Sequence, residues 1–232
     1  MKSQLVKDLF YASVGRLSAV NLLRYEVCCR LRGRAAARWS GDPLVLHLGS
    51  GTHRIAGFVN IDGNPLRRPD LWLDIRLGLP FDEGSVDAAY CCHMMEHFGE
   101  RDVRKILAET FRVLRPGHGL RLVTPDLRKA IEAYVRGDVQ WFNDFPDRRR
   151  SLGGRFNNYL LCGDQHKLMF DATFLEEILR DIGFVQVSET VPHRSDIFEP
   201  ARLAEFEHET PAEHQSLFVE CFKPGELNGA GF

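Results

Sequence analysis

The chain has 232 residues, 44% of them hydrophobic and 27% charged, enough for one well-buried core and ordinary for a globular protein. Its 30 basic and 32 acidic residues leave a net charge of −2, so electrostatics give no reason to expect nucleic acid as the main partner. The six cysteines form no C-x-x-C and no run of about 18 apolar residues occurs, which argues against a zinc knuckle, a disulfide scaffold and a transmembrane helix.

Residues 1–40 read as an N-terminal amphipathic helical segment. Leu5, Val6, Leu9, Phe10 and then Leu22, Leu23 and Val27 recur at helical spacing, and Arg24, Arg30, Arg32, Arg34 and Arg38 fill much of the rest. Such a helix packs on a core or on a partner subunit, and a basic one also admits a weak membrane-surface contact. The segment lacks the apolar core and cleavage site of a signal peptide, so the cytoplasm is the expected compartment. The oligomeric state stays open.

The breakers Gly41-Asp42-Pro43 open the second unit, residues 41–232. Short apolar runs then alternate with helical patterns. Strands are expected over residues 44–48, 57–61, 71–73, 86–92, 119–123, 184–187 and 217–222, and helices over 101–114, 127–136 and about 174–181. Asp171 or Thr173 caps the last helix and Gly183 ends it. This alternation predicts an α/β fold, a doubly wound, mostly parallel seven-stranded sheet with helices on both faces. Residues 137–170 read as an irregular insertion that covers the site. Its aromatic residues, Trp141, Phe142, Phe156 and Tyr159 among them, suit either stacking on a sugar or the core of the lid.

Parallel sheets bind ligands beyond the carboxyl ends of their strands. The polar and glycine residues of interest stand there: Gly49-Ser50-Gly51, Asp62, Asp74, His93 to His97 and Thr124 to Asp126. A glycine turn after a buried strand, followed by an acidic residue ending the next strand, suits a nucleoside whose ribose hydroxyls donate to the carboxylate. The interval from Gly51 to Asp62 is too short for a full helix, and a third glycine is missing. Both points argue against NAD, which needs a helix N-terminus for its pyrophosphate.

Val45-Leu46-His47-Leu48-Gly49-Ser50-Gly51 resembles the first motif of class I S-adenosylmethionine-dependent methyltransferases. Leu79-Pro80-Phe81-Asp82-Glu83-Gly84-Ser85-Val86-Asp87, His93-Met94-Met95-Glu96-His97 and Val113-Leu114-Arg115-Pro116-Gly117 resemble the segments around their fourth and fifth strands. A narrower resemblance is to bacterial type 11-like members with a compressed first motif, many associated with polysaccharide biosynthesis. These also carry Pro-Asp-Leu after the fifth strand and a late segment like His166-Lys167-Leu168-Met169-Phe170-Asp171. The resemblance spans about residues 44–223.

It implies methyl transfer from S-adenosyl-L-methionine to a small-molecule or glycan acceptor, with a hydroxyl as the expected nucleophile. By position, Gly49, Ser50 and Gly51 would pass the methionine portion, Asp62 would bind the ribose diol, Asp74 and Ile75 would lie near adenine, and His93 would lie close to the methionine portion or the sulfonium. His47 stands where most members have an acid, which removes the usual contact to the cofactor's amino group. A hydroxyl acceptor benefits from a base, and the candidates are His93, His97 and His166, with Asp126 as an orienting carboxylate or a helix cap. Two other readings exist. One is an inactive, methyltransferase-like binding protein. The other is a zinc peptidase through His93, Glu96 and His97, which requires both histidines on one helix face.

Overall fold

The computed structural model describes residues 43–225 together with Leu23. The amphipathic segment expected within residues 1–40, with its membrane-surface reading, lies outside them. No helix of the described residues is long and apolar enough to cross a membrane.

Seven strands form one sheet in the order β3-β2-β1-β4-β5-β7-β6. They are β1 (Val45–Leu48), β2 (Val59–Asp62), β3 (Leu71–Trp72), β4 (Val86–Cys92), β5 (Leu114–Pro125), β6 (Val185–Thr190) and β7 (Ser216–Phe222). The first five pair in parallel, while β7 runs antiparallel between β5 and β6. The strand order reverses between β1 and β4, the switch point beyond whose carboxyl ends sheets of this kind bind ligands.

Alternation along each strand separates two faces. Leu46, Leu48, Val59, Ile61, Ala89 and Cys91 enter the main core. That core is closed by α1 (Glu100–Val113), through Val103, Ile106 and Leu107, and by α4 (Ala172–Ile182), through Leu175, Ile178 and Leu179. These spacings are the i, i+3, i+4 stripe of an amphipathic helix. The other face carries Val45, Phe58, Tyr90, Val123 and Phe218, and the chain after β6 packs on it through Ile197, Phe198 and Phe206.

On that second face Arg121 of β5 is fully buried. Its guanidinium forks onto Glu207 at 2.7 and 2.9 Å, reaches Glu220 of β7 at 2.9 Å, and donates to the carbonyls of Val191 and Arg194. Arg121 and Glu220 are directly opposed in the β5–β7 register. A buried cation persists only with its donors satisfied, and here five oxygens from four residues meet it.

Three expectations change. Strand two begins at Val59, because Gly57 has φ +78° and Phe58 N–H closes a turn onto Ile55 O. β5 begins at Leu114, directly after α1, and its Pro116-Gly117 kink is held by Gly117 N–H donating to Lys223 O at 2.9 Å. Residues 137–170 are not irregular throughout. They contain α3 (Leu152–Leu161), whose N-terminus is capped by Ser151 Oγ accepting from Gly154 N–H. This helix packs against α2 (Leu127–Val135) through a small core of Ala130, Ala133 and Phe142, joined by Trp141, Phe156 and Tyr159. Phe142 is buried, and the rings of Trp141 and Tyr159 are 5.1 Å apart. The aromatic residues therefore form the insertion's own core.

Candidate functional site

The carboxyl ends of β1, β2, β4 and β5 bring the expected residues together. At the end of β1, Gly49 and Gly51 take φ +70° and +52°, a left-handed backbone that favours glycine. Their reasons differ. A Cβ on Gly49 would stand 2.4 Å from the Met94 side chain, whereas one on Gly51 would meet nothing within 4 Å. Gly49 is thus a packing requirement, and Gly51 faces open space. Between them Ser50 is buried, its N–H donating to Ile61 O at 2.9 Å.

Asp62 ends β2 with both carboxylate oxygens engaged by backbone. Oδ2 accepts from Gly51 N–H at 2.8 Å and Oδ1 from Asn64 N–H at 2.7 Å. Each oxygen keeps a lone pair for a further donor. Asp74 follows β3 and caps the turn Ile75–Leu77. Its carboxylate is forked onto Arg76 Nε at 2.9 Å and Nη2 at 2.6 Å. Burial opposes its charge, but the Arg76 hydrogen bonds and positive charge hold the carboxyl below its ordinary range. Ile75 is buried against the core.

His47 is a structural residue. It is buried, its Nδ1 lies 3.1 Å from Asn60 Oδ1, and its ring leans on Tyr90. Asn60 in turn binds Ile55, Phe58 and Asp70. Burial lowers the His47 pKa to about 4, against the Asn60 hydrogen bond.

β4 ends at Cys92, and His93 takes φ +49° before the 3-10 turn Met95–His97. No α-helix carries His93 and His97, so they do not stand one helical turn apart as a zinc peptidase motif requires. His93 Nδ1 pairs with Glu96 Oε1 at 3.2 Å, and its Nε2 lies 3.1 Å from Ser216 Oγ. Ser216 Oγ donates onward to Glu209 Oε1 at 3.1 Å. Crowding of protein around the ring opposes its charge, but the Glu96 hydrogen bond and the charges of Glu96 and Glu209 prevail, so the pKa is raised. Ser216 and Glu209 had no signal in the sequence, since Ser216 meets His93 only through the antiparallel placement of β7, and Glu209, in the segment before that strand, joins through Ser216.

The catalytic candidates divide. Asp126 is buried; its Oδ1 caps α2 by accepting from Lys129 N–H at 3.1 Å, and its Oδ2 lies 3.3 Å from Lys129 Nζ. His97 and His166 are neighbours, with ring centroids 5.2 Å apart. The segment carrying His166 is sewn to the turn after β4, with Lys167 N–H donating to Glu96 O at 2.8 Å. Burial lowers the His166 pKa, Glu96 works the other way, and His97 adds to the lowering. A hollow of about 540 Å³ lined by Leu44, Arg54, Phe58 and Asp70 lies at the opposite, amino ends of β1 and β2 and contains none of the crevice residues.

Residues 71–120, from β3 into β5, match the family model described as a methyltransferase domain. No curated protein matches the chain. Among solved structures, a SAM-dependent methyltransferase from Archaeoglobus fulgidus is 13% identical, with 86% of this chain and 94% of that one covered at a TM-score of 0.50. A SAM-dependent methyltransferase from Thermotoga maritima, described as a possible histamine N-methyltransferase, is 15% identical, with 92% and 96% covered at a TM-score of 0.44. The architecture is the Rossmann-like methyltransferase fold, and the matched segment together with that fold supports S-adenosylmethionine as the cofactor.

Proposed function

We propose that the chain transfers the methyl group of S-adenosylmethionine to a hydroxyl of a small-molecule or glycan acceptor, in the manner of the bacterial polysaccharide-associated methyltransferases it resembles. One observation carries the reading. Among the described residues, the buried hydroxyls of Ser50 and Thr124 have no hydrogen-bond partner, and both stand at the carboxyl ends of central strands beside the switch point. Buried polar groups without partners are costly, and a ligand in the crevice supplies the missing ones. The open space over Gly51 and the spare lone pairs of Asp62 fit the same ligand.

When bound, the cofactor supplies an already activated methyl group on a sulfonium, so the protein's task is alignment and proton handling. Gly49, Ser50 and Gly51 would border the methionine portion, Asp62 would accept from the ribose hydroxyls, and Asp74 with Ile75 would flank adenine. His93, held between Glu96 and Ser216, would sit by the methionine end. His97 and His166 would face the acceptor. A His166 ring whose pKa lies below the ordinary value is neutral at pH 7 and able to take a hydroxyl proton. Asp126 would act through α2, whose start it caps.

Calorimetry with S-adenosylhomocysteine tests the cofactor half, with an expected affinity of about −7 to −8 kcal/mol and far weaker binding of NAD. Tighter binding of NAD would overturn the reading. Turnover on a panel of nucleotide sugars and glycans tests the acceptor half. Tight cofactor binding with no turnover on any acceptor would favour a binding protein.

A further inference from the structure

Three side chains meet beside the end of β4 in an arrangement that methyl transfer by itself does not demand. Glu96, His97 and His166 each offer a ligand atom, and these atoms all lie within 4.8 Å of one another. Glu96 is 1% exposed, and while its Oε1 is paired with His93, its Oε2 has no partner. A carboxylate oxygen removed from water with nothing to bind is expensive.

The two imidazoles are oriented by backbone. His97 Nδ1 lies 3.1 Å from Gln165 O, and His166 Nδ1 lies 3.0 Å from Leu160 O. A carbonyl oxygen only accepts, so Nδ1 carries the proton in each ring. In the neutral ring Nε2 is then left with its lone pair. A backbone carbonyl that fixes the tautomer in this way is the usual outer support of a metal-ligating histidine. The bearing segments are also tied together, because Lys167 and Leu168 N–H both donate to Glu96 O, at 2.8 and 3.3 Å.

We propose that Glu96, His97 and His166 bind a divalent transition metal ion, zinc or a first-row relative, through two imidazole nitrogens and one carboxylate oxygen. Two histidines and one carboxylate leave room for a water or substrate oxygen in a further position, as in catalytic rather than structural sites. Bonds of about 2.0–2.2 Å would set tetrahedral ligands about 3.3–3.6 Å apart, so small side-chain rotations close the present spread. The set excludes His93, and thus differs from the H-x-x-E-H reading of the sequence. Resting on the methyl-transfer reading, the open position would receive the acceptor oxygen and ease loss of its proton to solvent; with the ion in place, this would replace proton transfer to His166, whose Nε2 lone pair would then be held by the metal.

The test uses the full chain, stripped with a chelator and titrated with zinc chloride by calorimetry and with cobalt(II) by visible absorption. Wild type should bind one equivalent and give cobalt d–d bands. His166→Ala and Glu96→Gln should each weaken zinc binding at least about a hundredfold and abolish those bands. Circular dichroism melts report folding, and if Glu96→Gln is misfolded, His166→Gln at the half-buried position decides. Absence of stoichiometric binding in wild type, or binding unchanged by the His166 substitutions, overturns the proposal. S-adenosylhomocysteine is titrated into the same metal-free samples. Its failure to bind beside intact zinc binding would sink only the methyl-transfer reading, and the converse would sink only the metal site.

Discussion

Gly51 and Asp62, eleven residues apart, are joined by a 2.8 Å hydrogen bond in which the Gly51 N–H donates to the Asp62 carboxylate. The bond fastens the loop after β1 to the end of β2, so the group expected to read a ribose also shapes the loop beside it. Asp62→Ala should therefore act twice. Cofactor affinity should fall at least about tenfold, with loss of charge-assisted bonds worth roughly 1.5–3 kcal/mol each. The melting temperature should also fall, since the Gly51 and Asn64 amides lose their acceptor. Calorimetry with S-adenosylhomocysteine at a temperature well below the melt separates the two. Unchanged affinity there would remove Asp62 from the cofactor site.

The two glycines of the loop should respond differently to alanine. Gly49→Ala places a Cβ within 2.4 Å of Met94 at φ +70°, so it should cost about 2 kcal/mol or more of stability. Gly51→Ala meets open space and should cost only about 1 kcal/mol, while obstructing the ligand. Denaturant titrations and cofactor titrations of both variants give the comparison. Equal losses of stability would mean that the Met94 contact does not matter.

His47 makes stability depend on pH. Its folded pKa of about 4 lies below the ordinary 6.5, chiefly through burial. The unfolded chain therefore binds the proton first. The contribution is fully present above pH 6.5 and is lost as pH falls from 6.5 toward 4. Over that window it amounts to about 3 kcal/mol. His47→Gln should lower stability at pH 7 yet flatten the slope between pH 6.5 and 4.5. Urea midpoints at several pH values measure it, and parallel slopes for the two proteins would count against the assignment.

Arg121 should be the most sensitive charged residue of the core. Arg121→Met strands Glu207 and Glu220 in the interior and should cost about 3–5 kcal/mol. Arg121→Lys keeps the charge but cannot fork onto Glu207, so it should fall between the two. A methionine variant as stable as wild type in guanidinium unfolding would show that the ion cluster is replaceable.

Much of this architecture was legible in the chain itself. β4 spans Val86–Cys92 as its turn residues and apolar run predict, and α1 falls within one residue of its expected ends. The glycine turn and Asp62 were readable because strand alternation, helix periodicity and turn chemistry act over a few residues. α3 escaped because Gly153 and Gly154 occupy its first turn, where they mimic a loop, and its stability comes from packing on α2. The Arg121 cluster, the His93–Ser216–Glu209 chain and the meeting of Glu96 with His166 were decided only by the tertiary fold. Arg121 and Glu207 are separated by 86 residues, and His93 and Ser216 by 123. No local pattern records such partners, because a buried charge or a ligand set is chosen by where the completed sheet brings distant strand ends together.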